Sequence, residues 1–238
     1  MKVKPSKCVL FKRDIEFLGR LVSVNGVDPV PDKLKAIRDW PIPHCLRDVR
    51  AFFGLASYYR RFLRNFASIA EPLTLLNKKI TPSKWTDDAD LAFSRFKQAL
   101  LDSASLDIPM PGLPCILDTD VSDVAIGAVL LQVVDGVERP IAFYSRIMNS
   151  AQRNYCPTRR KPLAVIAALQ HFRHSLLGTH VTLRTDHHNL KWLRTFRHPE
   201  GIIVPCIETL AEFDYEIDHR PGRLHCNADS VSRPICKQ

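Results

Sequence analysis

An α/β fold, with a small helical region ahead of a domain of alternating strands and helices, is what this sequence predicts. Three observations carry it. Residues 31–100 repeat apolar and aromatic side chains at helical spacing, short β-type runs alternate with apolar helical stretches from Cys115 onward, and the small polar run Asp102-Ser103-Ala104-Ser105 separates the two patterns. With 45% hydrophobic and 25% charged residues over 238 positions, the chain can bury a sizeable core and lacks the composition of disorder.

The runs Lys7 to Phe11 and Ile15 to Val24 read as two short strands ending at the turn signal Asn25-Gly26. Beyond Pro29 and Pro31, Asp32 is placed to cap a short helix that must stop before Pro41. A second helix is predicted from Leu46 to Arg64, where Phe52, Ala56, Tyr59 and Phe62 recur at helical spacing, and a third from Ala89 to Leu100. The aromatic stripe reads first as core packing. Tyr58-Tyr59-Arg60-Arg61-Phe62 also mixes rings with cations as nucleic-acid surfaces do, and both readings stand.

In the second half, strands are predicted at Cys115 to Asp120, Val124 to Val134, Arg139 to Ser145, Val181 to Thr185 and Tyr215 to Arg220. Helices are predicted at Pro162 to Leu176, Asn189 to Phe196 and Asn227 to Ser232.

Seven scattered cysteines, none in a C-x-x-C pair, read as free thiols rather than a disulfide framework or zinc site. No apolar run is long enough for a membrane span and the first residues do not resemble a signal peptide, so an intracellular protein, neither secreted nor membrane-bound, is expected. The net charge of +9 suits a polyanionic partner without requiring one. Its distribution says more: Ile141 to Pro199 holds ten Lys or Arg and one acid, Asp186.

Asp120, Asp186 and Asp229 each fall at the end of a predicted strand or the start of a helix. Clustered carboxylates holding two divalent ions are what phosphodiester hydrolysis needs, one ion activating water and the other stabilising the leaving oxygen. Three aspartates are equally ordinary surface residues, and spacing alone does not choose.

Phe17-Leu18-Gly19, Trp40-Pro41-Ile42-Pro43, Arg50-Ala51-Phe52-Phe53-Gly54-Leu55 and Ile69-Ala70-Glu71-Pro72-Leu73 resemble the segment after the palm in gypsy-type LTR retrotransposon polymerases. Leu117-Asp118-Thr119-Asp120-Val121-Ser122, Thr185-Asp186-His187, Phe213-Asp214-Tyr215, His219-Arg220-Pro221-Gly222 and Asn227-Ala228-Asp229 resemble the ribonuclease H domain of the same polyproteins. The resemblance implies three parts: the end of a palm at 1–27, a mainly helical thumb or connection at 28–105, and a ribonuclease H-like domain at 106–238. That domain should be a five-stranded mixed sheet flanked by helices, cleaving RNA in an RNA–DNA hybrid with two Mg2+ or Mn2+ ions. By position, Asp120, Asp186 and Asp229 match catalytic metal ligands, while His219 matches a mobile-loop histidine or a structural one. Tyr58, Arg60, Arg61, Arg159, Arg160 and Arg184 are the expected contacts to hybrid or duplex, and the polymerase and integrase parts of a Pol polyprotein are the expected protein partners.

The pattern departs at one ligand. The family resemblance implies a glutamate where this chain has Lys161, and Glu138 to Glu200 brackets no other acid than Asp186. Lost cleavage follows, leaving two expectations: an impaired ribonuclease H, or an inactive nucleic-acid-binding remnant. Thr158 with a glutamate at 161 would form a capping box, which Lys161 removes, and Pro162 falls in the expected first turn. Pro205-Cys206 stands where relatives usually carry Arg-Trp and introduces a helix breaker. The Tyr-x-Asp-Asp motif of polymerase palms is not in this sequence, so polymerisation by this chain alone is not expected.

Overall fold

The structure, a computed structural model, describes residue 8 and residues 11–76, 85–103, 105–185 and 203–219. At the N-terminal end lies an antiparallel sheet of β1 (Ile15–Phe17), β2 (Arg20–Ser23) and β3 (Gly26–Pro29). The single strand expected from Ile15 to Val24 is two, because Leu18 and Gly19 both take positive φ and reverse the chain. β3 was not anticipated. Its position is set by a distant partner: Val27 N donates to Leu106 O at 2.7 Å, and Leu106 N to Val27 O at 3.0 Å.

Gly26 makes that approach possible. Its φ is +132°, and a Cβ there would stand 2.5 Å from the Leu106 carbonyl oxygen. Gly26→Ala is therefore expected to cost about 1–3 kcal/mol, the scale of a strained backbone position. Urea unfolding checks this, and an unchanged midpoint would refute it.

Helix α1 (Pro31–Arg38) begins with Pro31 at its first position and Val30 as N-cap. Asp32 is not the cap; it sits in the first turn, where its charge favours the positive end of the helix dipole. α2 (Leu46–Tyr58) stops short of Arg64 and passes into a 3-10 turn at Arg60–Phe62 that buries Phe62 beside Tyr59. α4 (Asp87–Leu101) is capped by Thr86, whose Oγ1 accepts from Ala89 N.

Between them lies α3 (Phe66–Leu76), with Pro72 inside it. An interior proline removes a hydrogen bond and argues against a helix locally. Packing outweighs it: Phe66, Ala67, Ala70, Leu73 and Leu76 are all buried. Phe52 packs on Phe93 and Phe96 with ring centroids 4.7 and 5.6 Å apart, and Phe66 lies 5.1 Å from Phe96. Such pairs add about 0.5–1.5 kcal/mol each beyond burial.

The second half forms one mixed five-stranded sheet in the order β6-β5-β4-β7-β8. Its strands are β4 (Cys115–Val121), β5 (Ala125–Val134), β6 (Val137–Ile147), β7 (Val181–Thr185) and β8 (Tyr215–His219). β4, β5 and β6 pair antiparallel, whereas β7 and β8 are added parallel. The short α5 (Ser150–Arg153) and then α6 (Pro157–His171) and α7 (Arg173–Leu176) connect β6 to β7, and α8 (Ile203–Ala211) precedes β8. The helix expected from Pro162 to Leu176 thus begins five residues earlier and breaks at Phe172.

Two cores meet on this sheet. Ala164, Val165, Ala168 and Leu169 of α6 pack with Leu117, Ile126, Leu183 and Leu210. The cluster of α2, α3 and α4 extends onto Val129, Leu131 and Phe143 of the sheet. The helical region and the sheet share apolar burial across residues 105 and 106. No helix among the described residues is long and apolar enough to cross a membrane.

Candidate functional site

Because β4, β7 and β8 are parallel, their C-terminal ends lie at one edge of the sheet. Asp120 is the penultimate residue of β4, buried at 5% exposure, and faces Gly127 across the strand pair. Thr185 ends β7 and is in register with His219, the last residue of β8. Asp186 and Asp229 lie outside the described residues. Crevices beyond the carboxyl ends of strands are where open α/β sheets place their chemistry.

Helix α6 brings its first turn to the same edge. β6 ends there, with Ile147 opposite Ala125, while β7 begins at the far end, with Val181 opposite Cys115. The helix must therefore start near Asp120 and run back down the sheet. An ion pair fixes the start, with Arg160 Nη1 2.6 Å from Asp123 Oδ1 in the β4–β5 turn. Lys161, the next residue, is half-buried at this edge.

The helix begins earlier than its sequence suggested, and this changes two readings. Cys156 is the N-cap and Pro157 the first residue, so Thr158 is not in a capping position. Pro162 is then the sixth residue and lies in the interior, where it deprives the Thr158 carbonyl of its donor. No acid stands in the first turn, which leaves Arg159, Arg160 and Lys161 beside the positive dipole end. The Asp123 pair and the donation of Arg160 Nε and Nη2 to the carbonyls of Tyr155 and Arg153 offset this. The guanidinium of Arg160 is committed to the protein, whereas Arg159 is exposed. Pro205 is the third residue of α8, in its first turn, and the helix continues through it.

Arg184 is corrected from a surface contact to an internal one. Only 6% exposed, it sits beside Asp118 in the β4–β7 register, with Nε 2.7 Å from Asp118 Oδ1 and Nη1 2.6 Å from Glu138 Oε1. Burial disfavours its charge, but Glu138 and Asp118 outweigh that and raise its pKa above the ordinary arginine value. Asp118 is 0% exposed and, two residues from Asp120 on the same strand, shares its face. Sequence reasoning missed Asp118 and Glu138; the Asp118-Thr119-Asp120 alternation was the available signal.

Arg60 and Arg61 occupy the 3-10 turn, where Arg60 is exposed and Arg61 partly buried, and Tyr58 is 39% exposed at the end of α2. Arg60 donates through Nη2 to Ser145 O at 2.8 Å, tying the turn to β6.

Among the described residues, no three His, Cys, Asp or Glu side chains form a set able to hold a metal. Asp120 is one carboxylate donor at this edge, and Lys161 brings an ammonium to the first turns of the helix that starts there.

Residues 110–213 match the family described as the RNase H-like domain found in reverse transcriptase. The chain carries an RNase H-like reverse-transcriptase domain. Over 237 residues it is 36% identical to the Retrovirus-related Pol polyprotein from transposon 297 of Drosophila melanogaster, covering 98% of this chain and 22% of that protein. It is 34% identical to the corresponding polyprotein from transposon gypsy, again over 98% of this chain and 23% of that protein. For the Transposon Tf2-3 polyprotein of Schizosaccharomyces pombe the identity is 33%, over 98% and 18%. The chain spans about a fifth of the length of the curated relatives it matches. Gypsy-type LTR retrotransposon Pol is the family the chain fits. The fold is also that of the foamy viral protease-reverse transcriptase solved in complex with RNA/DNA hybrid. That structure superposes with a TM-score of 0.78 at 18% identity, over 98% of this chain and 32% of the other.

Proposed function

We propose that this chain is a reverse transcriptase/ribonuclease H segment that binds RNA–DNA hybrid or duplex and cleaves RNA poorly, because Lys161 occupies the position of a metal-binding glutamate. The observation that carries the reading is the placement of Lys161 in the first turns of α6, at the edge that holds the carboxyl end of Asp120's strand. In this reading Asp186 and Asp229 join Asp120 at the edge, where β8 ends at His219. Magnesium or manganese, when bound, would supply the activated water and the charge for the leaving oxygen. The chain's own residues supply backbone contact, and Lys161 holds positive charge against the aspartates. The test compares hybrid cleavage by the chain, by Lys161→Glu and by Asp120→Asn.

The binding half of the proposal has its own expected result. The basic stretch Arg146 to Arg197, apart from the internally paired Arg160 and Arg184, should with Arg60 and Arg61 contact phosphates, so affinity for hybrid falls steeply with salt through counterion release. A protein making six to ten phosphate contacts loses about 10³–10⁵ in affinity between 50 and 200 mM salt. Fluorescence anisotropy across that range checks it; an affinity nearly independent of salt would reject the electrostatic surface. The inactive-remnant reading gains if binding is retained while Lys161→Glu also fails to cleave.

A further inference from the structure

A cleft of about 370 Å³ opens between the N-terminal sheet, the 3-10 turn and the far end of α6. Its walls carry Arg20 from β2, Arg60 and Arg61 from the turn, and His171 and His174 from α6 and α7, with Tyr58 among them. No Asp or Glu lines it, and among the described residues no carboxylate pairs with any of the three arginines.

The arginines are held in place without being neutralised. The Arg20 guanidinium lies 5.3 Å from the centroid of the Tyr58 ring and 5.9 Å from that of Phe62, and its buried Nε has no hydrogen-bond acceptor among the described residues. Arg60 is positioned over Phe66 and by its bond to Ser145 O. Burial, and then Arg20, press the pKa of Arg61 downward, yet a guanidinium keeps its proton at neutral pH. Burial, then Arg60, His174 and Arg61, hold the His171 pKa below its ordinary value. Every charged side chain lining this cleft has the same sign; Asp107, on the wall of an adjoining cavity that shares Arg20, Arg61 and His174, is paired with Arg139, so a group with several acceptor oxygens would relieve the repulsion in the cleft.

We propose that this cleft is a phosphate-binding site, holding one phosphodiester of a nucleic-acid backbone among Arg20, Arg60 and Arg61. The source of the phosphate rests on the nucleic-acid reading above; the phosphate chemistry does not. The site is distinct from the Asp120 edge, because ten residues of α6 separate His171 from Lys161, or about 15 Å along the helix axis. A duplex crossing both would be gripped away from the position where it is cut.

The test uses the full chain with Arg20→Gln, Arg61→Gln and Arg61→Lys, and with Lys35→Gln on exposed α1 as a charge-matched control. Circular dichroism and thermal melts first establish that each variant folds. In hybrid binding, each Gln variant should lower the slope of log affinity against log salt by about 1, while the control leaves it unchanged. Arg61→Lys should keep the slope but weaken binding, since the charge stays and the planar fork is lost. In a second arm, inorganic phosphate is added while the His171 ring resonances are titrated by NMR. Phosphate should raise the His171 pKa in the wild type and not in Arg20→Gln. Normal salt-dependent hybrid binding by every variant, with no response of His171 to phosphate, would overturn the proposal while leaving the nucleic-acid reading intact. A phosphate response in a chain that binds no hybrid would support the site's chemistry and overturn both the backbone source and that reading.

Discussion

Arg184→Met is expected to destabilise the fold by about 3–5 kcal/mol, the cost of leaving a buried charge without its partner. Asp118 is fully buried and has Arg184 Nε at 2.7 Å, so methionine fills the space but leaves the carboxylate with no cation in a poor solvent for charge. Glu138, more exposed, can turn toward water and contributes less. Urea unfolding provides the measurement. A second variant isolates the cause, because Arg184→Met with Asp118→Leu removes both charges and should regain most of the loss. If Arg184→Met were as stable as the wild type, the ion pair would have no structural role. Since Asp118 shares its strand and face with Asp120, the same variant should also disturb the candidate edge.

Lys161→Glu is expected to raise hybrid cleavage by on the order of 10–100-fold, the scale on which changes around a metal site alter affinity or activity. Charge is the warrant: three aspartates with Lys161 sum to about −2, against about −4 with glutamate, where two divalent ions bring about +4. Restoration should be partial. Pro162 follows the repaired position inside α6, and the hydrogen bond it removes lies beside the side chain that must be aimed. The new glutamate would also improve the start of the helix by placing an acid near its positive end. Strong magnesium-dependent cleavage by the unmodified chain, abolished in Asp120→Asn, would refute the claim that Lys161 disables the edge. Failure of both forms while hybrid still binds would place the lesion elsewhere and favour the binding remnant.

How much was legible depended on whether the signal was local. The five strands of the second half were read nearly at their observed positions, Val181–Thr185 without change, because alternating β-type runs bounded by turns report pairing directly. α3 was not legible, since Pro72 argues against a helix and only contact with α4 and the sheet overrides it. The start of α6 was misplaced because Thr158 offers a better cap than Cys156 by residue type, while the observed start is anchored by Arg160 reaching Asp123. Asp186 and Asp229 fall outside the described residues, so at the candidate edge the structure places Asp120, Lys161 and the backbone of His219.

By itself, the sequence determined the α/β class, the resemblance to retrotransposon Pol and the cation at position 161, because periodicity and residue identity are properties of the chain taken in order. Tertiary structure alone decided that Arg184 turns inward to Asp118 and Glu138, that Gly26 lies against Leu106, and that Arg20, Arg61 and His171 face one cleft. Each of these joins residues dozens of positions apart, and burial, charge pairing and repulsion act through space, so their outcome is fixed only when the chain has brought those groups together.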